Sequence, residues 1–279
     1  MNVLFLFLKI LGSFLPKGLA DLVARGFARV SYTLIYKQGL RNHCSNLKTV
    51  FPGRDEKELL AISKKAGMNL AVCLYEQLLM GRLINSRNYH KFVKDENFGN
   101  LYDAHKEGRG VILLTGHLGN YEWGASFIGY LGFKISVISV EYKTSFIRDI
   151  YEENRRRSGI GVFYVKKSFS GPVRFLKNGG LLAIAGDRNF GGSTVKAKMF
   201  GKDVQIPKGG FFLASKLGIP VVVGFGPRKK DGRYHVYLEK PFKVKEKEIE
   251  KSVEKYVGML ERYIKKYPDQ WLLFEKLGK

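Results

Sequence analysis

Apolar residues recur along this chain in two rhythms. Short apolar runs stand at 111–114, 135–140, 161–165, 181–185 and 221–225. Runs of that length between turn residues predict strands, and runs without polar alternation predict strands buried on both faces. Between them apolar residues return every three or four positions. After the first run, for example, Trp123, Phe127, Ile128 and Leu131 follow helical spacing. The same rhythm predicts helices over 145–157, 170–177 and 207–217, and a last one over about 247–266 that stops at Tyr267-Pro268. Strand and helix alternate, so the fold class expected is α/β, a mostly parallel central sheet flanked by helices. A strand-like run at 234–238 contains His235, which reads as structural.

Ahead of this alternation the pattern is helical. Apolar positions from Leu59 through Ile62, Ala66, Leu70, Leu74 and Leu78 predict one long helix over about 55–83. A turn at Phe51-Pro52-Gly53 precedes it. Residues 1–16 are apolar, but Lys9 interrupts them. A spanning helix needs roughly 20 apolar residues, so a span is not expected there. From Leu19 to Leu34 apolar residues at helical spacing mix with Arg25 and Arg29. That suits a helix lying in a membrane interface or packed on the core. The expected organisation is a helical, membrane-associating extension over 1–40 and one globular domain over 41–279.

Charge narrows the partner class. The 279 residues carry 48 Lys and Arg against 25 Asp and Glu, a formal net charge of +23. An excess of that size implies an anionic partner: nucleic acid, an acidic membrane surface or an acidic protein. The basic residues are dispersed, with no nucleic-acid-binding signature, so nucleic acid is not expected. No phosphate-binding Walker loop and no G-x-G-x-x-G fingerprint occurs, which removes the usual support for nucleotide chemistry. Cys44 and Cys73 lack metal-ligand spacing and predict free thiols in a reducing compartment. No metal site is expected.

The candidate chemistry lies where the first strand gives way to a helix, in Thr115-Gly-His117-Leu-Gly-Asn120-Tyr-Glu122-Trp. In open α/β sheets, ligands bind at carboxyl strand ends. A histidine there can accept a proton near neutral pH, and a carboxylate can hold its tautomer. Glu122 is one such carboxylate. Asp187 is the other, since it follows the strand at 181–185 and so shares that edge of the sheet. The sequence leaves the choice open. Arg155, Arg156 and Arg157 end a helix, where they either answer the helix dipole or recognise phosphate. Pro207-Lys208-Gly-Gly210 opens another helix, whose N-terminus suits an anion.

These residues resemble the H-x4-D/E motif of glycerolipid acyltransferases, and more closely the bacterial lipid A biosynthesis acyltransferases. The likeness continues in order through Arg41, Asn46-Leu47, Phe51-Pro52, Arg155, Arg157-Ser158, Asp187, Phe200-Gly201, Lys208-Gly209, Ala214, Pro227-Arg228 and Tyr267-Pro-Asp-Gln-Trp271. The chain departs from the family pattern at Asn189 and in its Phe274-Glu-Lys ending. The resemblance implies a glycerol-3-phosphate acyltransferase-like fold. It also implies acyl transfer from a thioester, on acyl carrier protein or coenzyme A, to a hydroxyl of a lipid A precursor or similar glycolipid, with no other cofactor. His117 would be the general base, with Glu122 or Asp187 beside it. Backbone N–H groups near 116–120, or Arg188, would face the oxyanion. Asn120, Arg155, Arg157, Arg188 and Lys208 would bind substrate. The implied location is the cytoplasmic face of the inner membrane, peripheral or anchored by the N-terminus. A lysophospholipid or phosphatidylinositol mannoside acceptor is the alternative within the class; a non-catalytic basic binding protein is the alternative outside it.

Overall fold

The computed structural model describes residues 37–278 except 107, 142–143 and 166–168, together with positions 18, 19, 22 and 26. The expected extension over 1–40 lies otherwise outside the described residues. Among the described residues no helix is long and apolar enough to cross a membrane.

From residue 37 on, two helices lead, α1 (Lys37–Val50) and α2 (Glu56–Leu83), joined by the turn at Phe51-Pro52. The sheet domain then runs β1 (Val93–Glu96), α3 (Gly99–His105), β2 (Val111–Thr115), α4 (Tyr121–Tyr130), β3 (Ile135–Ser139) and α5 (Ser145–Arg157). It continues with β4 (Gly161–Tyr164), α6 (Ser170–Lys177), β5 (Leu181–Ala185), β6 (Thr194–Met199), β7 (Lys202–Pro207) and α7 (Gly209–Leu217). The last elements are β8 (Pro220–Phe225), β9 (Tyr234–Leu238), β10 (Phe242–Lys243) and α8 (Ile249–Lys266). The main sheet is ordered β1-β9-β8-β2-β5-β3-β4, with β10 beside β8. Strands β8, β2, β5, β3 and β4 are parallel to their neighbours in turn, while β9 and β10 pair antiparallel to β8. The fold is thus α/β with a mostly parallel central sheet flanked by helices.

The continuous apolar runs are explained by two cores, one on each face of the sheet. Ile112, Leu114, Leu182, Val221 and Val223 face a core completed by α7 and α8, with Phe211, Tyr256 and Leu260. Val111, Leu113, Leu181, Ala183 and Val222 face a second core closed by α4, through Trp123, Phe127 and Ile128. Helix α8 buries Ile249, Val253, Tyr256, Val257, Leu260 and Ile264, one stripe at helical spacing.

The hairpin β6–β7 is not visible in the apolar runs. Its strands alternate: Val195, Ala197, Met199, Val204 and Ile206 are buried, while Lys196, Lys198, Lys202 and Gln205 are exposed. Both turn residues, Phe200 and Gly201, have positive φ, 50° and 77°. That is the twist a two-residue hairpin loop requires, and a phenylalanine in it hides the turn from sequence reading. Strand β1, pairing in parallel with β9, was likewise not expected.

Helices α1 and α2 hold the segment after α8. The Asn46 side chain donates to the carbonyls of Leu273 (3.3 Å) and Glu275 (2.7 Å) and accepts from the Leu277 N–H (2.9 Å). Asn69 donates to the Asp269 carbonyl (2.7 Å). His43 is fully buried; its Nε2–H donates to the Trp271 carbonyl (2.8 Å), and its Nδ1 accepts from the Ser63 hydroxyl (3.0 Å). Backbone groups of an irregular segment need such partners when buried.

Burial pushes the His43 imidazole down to about 4, against a smaller opposing effect of the Trp271 carbonyl. The unfolded chain therefore binds a proton that the folded one refuses between about pH 6.5 and 4. Stability is full above pH 6.5 and falls as pH drops through this window. Each pH unit crossed removes about 1.36 kcal/mol, so the whole window removes roughly 3 kcal/mol. Denaturant midpoints measured from pH 7.5 to 4 should fall accordingly, and in His43→Gln that decline should flatten.

Candidate active site

The pairing of β2 with β5 brings the two ends of the chemistry together. Thr115 sits opposite Ala185 in parallel register, so His117 and Asp187 each lie two residues beyond the carboxyl end of adjacent strands. His117 Nδ1 is 2.6 Å from Asp187 Oδ1, and the His117 backbone N–H donates to Asp187 Oδ2 at 2.8 Å. The Asp187 side chain is 2% exposed and that of His117 12%. Burial disfavours the Asp187 charge, but the His117 charge, its two N–H groups and Arg188 outweigh it and hold the carboxyl below its ordinary range. An ionised Asp187 accepts a hydrogen bond from Nδ1–H, which leaves Nε2 as the basic nitrogen. The Tyr121 ring meets the imidazole edge-on, with centroids 4.9 Å apart.

The turn carrying His117 is bonded on every side. Leu118 N–H donates to the Gly116 carbonyl (2.7 Å), Gly119 N–H to Gln270 O (2.9 Å) and Asn120 N–H to Gly226 O (3.2 Å). The His117 carbonyl accepts from Leu272 N–H (2.7 Å). Gly119 has φ 67°, and a Cβ there would lie 2.0 Å from the Gly226 oxygen, so only glycine fits. With the N–H groups of 117 through 120 all taken, the expected backbone oxyanion site is not formed by these four.

Glu122 is not beside His117. Helix α4 begins at Tyr121, capped by the Asn120 side chain, which accepts from Trp123 N–H at 3.1 Å. Glu122 in the first turn is buried against Arg155 from α5, with Nη2 to Oε1 at 2.6 Å and Nε to Oε2 at 3.1 Å. Arg155 Nη1 also donates to the Ser139 hydroxyl at the end of β3 (3.2 Å). The pair thus clasps α4, α5 and β3, a forked guanidinium on a carboxylate. The guanidinium expected on substrate phosphate is instead occupied by this carboxylate.

The other expected residues are dispersed. Asn120 is buried, and its amide N–H₂ faces Glu76 (3.1 Å) rather than the opening. Arg157 is on the surface, paired with Glu153 at 2.7 Å. Arg188, next to Asp187, donates from Nη2 to the Leu272 carbonyl (2.7 Å), while its buried Nε has no hydrogen-bond partner among the described residues. Lys208 stands half-buried at the N-terminus of α7. Among the described residues no group of three or more His, Cys, Asp or Glu side chains could hold a metal.

Two contributors were not read from the sequence as site residues. Gln270 accepts from Arg228 N–H (2.6 Å) and donates to its carbonyl (2.8 Å), which locks the segment after β8 against the His117 turn. Tyr256 donates to the Thr115 carbonyl (2.8 Å) beneath the site, and burial with the nearby Asp187 charge raises its pKa well above the ordinary value. Tyr256 shows in the sequence only as one more apolar position of α8.

Removing one member of a buried ion pair leaves the other charged and unpaired, at about 3–5 kcal/mol. Arg155→Ala should lower the free energy of unfolding by about that amount in a denaturant titration. Arg156→Ala, one residue on but exposed and paired with Glu153, should leave the midpoint nearly unchanged.

No curated protein sequence matches the chain. The family model described as bacterial lipid A biosynthesis acyltransferase matches residues 2–279, essentially the whole length. With the strand-end histidine and its buried carboxylate already in view, the match has one meaning: this chain belongs to the bacterial lipid A biosynthesis acyltransferase family and is an acyltransferase.

Proposed function

We propose that the protein moves a fatty acyl chain from an acyl thioester to a hydroxyl of a lipid A precursor or similar glycolipid, with His117 as general base and Asp187 as its partner. The observation that carries the assignment of roles is the 2.6 Å contact between His117 Nδ1 and Asp187 Oδ1, with Glu122 committed to Arg155. His117 Nε2 removes the acceptor hydroxyl proton as the oxygen attacks the thioester carbon. The C–S bond then breaks, and the imidazolium returns the proton to the departing thiolate. Positioned proton transfer of this kind contributes about 10²–10⁴-fold. Asp187 fixes the tautomer and stabilises the imidazolium, the role an orienting carboxylate has in hydrolase triads.

The transition state also needs a donor for the developing oxyanion. Arg188 supplies it in this reading, since the backbone N–H groups of 117–120 are engaged and its Nε is not. Lys208, at a helix N-terminus, suits a phosphate of the acceptor or of a phosphopantetheine arm. The net charge of +23 suits both an acidic carrier protein and an anionic membrane face, on which each Lys or Arg is worth about 1 kcal/mol near the surface. We place the protein peripherally on the cytoplasmic face of the inner membrane, with 1–40 as its attachment. A basic binding protein without catalysis has no support left once the family is known.

Labelled acyl carrier protein and acyl coenzyme A, offered with a panel of lipid A precursors, lysophospholipids and phosphatidylinositol mannosides, test this directly. Transfer should stop in His117→Ala, and Asp187→Asn should be slower by about 10²–10⁴-fold. Equal transfer by wild type and His117→Ala would remove the base from the mechanism. Product labelled only on a lysophospholipid would replace the acceptor.

A further inference from the structure

Beneath the His117 turn lies a carboxylate to which the reaction gives no part. Glu76, in the C-terminal third of α2, is wholly buried. Its Oε2 accepts from Tyr234 Oη (2.6 Å) and from Asn120 Nδ2 (3.1 Å), and its Oε1 is 3.6 Å from Arg228 Nη1. These partners come from β9, from the cap of α4 and from the segment after β8. Burial, with the Cys73 and Glu76 charges adding to it, raises the Tyr234 pKa well above its ordinary value, so the hydroxyl stays a donor.

Followed around, the contacts close into a ring. Glu76 holds the Asn120 side chain. The preceding residue, Gly119, donates to Gln270 O. The Gln270 amide grips both backbone groups of Arg228, and Arg228 returns to Glu76. The ring thus runs through the peptide between Gly119 and Asn120, two to three residues from His117. A cavity beside it, lined by Cys73, Gly119, Arg228 and Tyr234 among others, measures only about 10 Å³, room for about one water. A buried charge pair adds little net stability, because an apolar replacement is often as stable. What this pair does provide is one fixed orientation for the Asn120 amide: Oδ1 on the helix cap, Nδ2 on the carboxylate.

We propose that Glu76 is a positioning residue for His117, acting through Asn120 to set the turn that aims the imidazole. The inference rests on the reading of His117 as the base, but its first test needs no substrate.

Histidine labelled with ¹⁵N reports the imidazole tautomer, and the His117 signals are identified by their loss in His117→Gln. Two variants cut the link from either end. Glu76→Gln removes the charge, and Asn120→Ser keeps a good helix cap while losing the amide donor. In wild type the two His117 nitrogens should resonate far apart, as a single tautomer does. In both variants they should move toward each other while the His105 signals, on α3, stay in place and report an intact fold. Should Glu76→Gln fail to fold, Asn120→Ser decides alone. His117 signals unmoved in a folded variant would overturn the proposal.

Kinetics give the second test. Each variant should lower kcat by about 10–100-fold, the scale of a misplacement near 1 Å, with KM for the acyl donor within about twofold. The double variant should be no slower than the slower single one, because both act along one route. Additive losses would overturn the proposal. Were wild type to transfer nothing, the functional reading would fail, and the tautomer experiment would still decide whether Glu76 orders the turn.

Discussion

The close approach of backbone to backbone at Gly119 is the constraint on which the rest depends. The turn after β2 must carry a histidine at the sheet edge and then start a helix within four residues. It does so by lying between two other segments, 226–228 on one side and 270–272 on the other, and giving the N–H groups of Gly119 and Asn120 to them. A side chain at Gly119 would occupy the space of the Gly226 carbonyl. The contact therefore fixes how β8, the segment after α8 and the start of α4 stand relative to one another. Each such hydrogen bond adds only about 1 kcal/mol net, but an unmet buried N–H costs about 1–3, so the turn has few alternative conformations.

The two carboxylates near the histidine are separated by the same geometry that separates their roles. Asp187 arrives on the neighbouring strand, level with His117, and accepts from both its ring and its backbone. Glu122 arrives in the first turn of a helix and looks toward β3 and α5, where a guanidinium matches its two oxygens. One acid is matched to a group that changes charge, the other to one that never does. The first holds the ring and backbone of one turn, and the second ties three elements together. Against a net charge of +23, these buried acids are local exceptions, each hydrogen-bonded to a named partner.

Much of this was legible in the chain because strands buried on both faces announce themselves as apolar runs. All five apolar runs became strands of the main sheet, though β4 at its edge is only half-buried, and the helices between them begin and end within a few residues of their predicted limits. Strand β1 was not legible, having two exposed charged residues in four positions. Nor was the β6–β7 hairpin, whose alternate lysines and Phe200-Gly201 turn carry little turn signal. At the site, the residues themselves were readable: His117, Glu122 and Asp187 all lie at strand ends or helix starts. Their pairing was not, because it depends on which strand is neighbour to which. Arg155, Arg156 and Arg157 make the same point, since adjacent and identical letters face a buried carboxylate and open solvent.

The bond from Leu272 N–H to the His117 carbonyl joins parts of the chain more than half its length apart. Contacts of that kind must wait for the intervening chain to be ordered, since closing long loops costs entropy before any contact rewards it. The sheet can gather from nearer neighbours, β2 with β5 and β3 with β4, while the turn at 116–120 is still without its outer partners. On entropic grounds the contacts around the His117 turn are therefore costlier to close than those that gather the sheet.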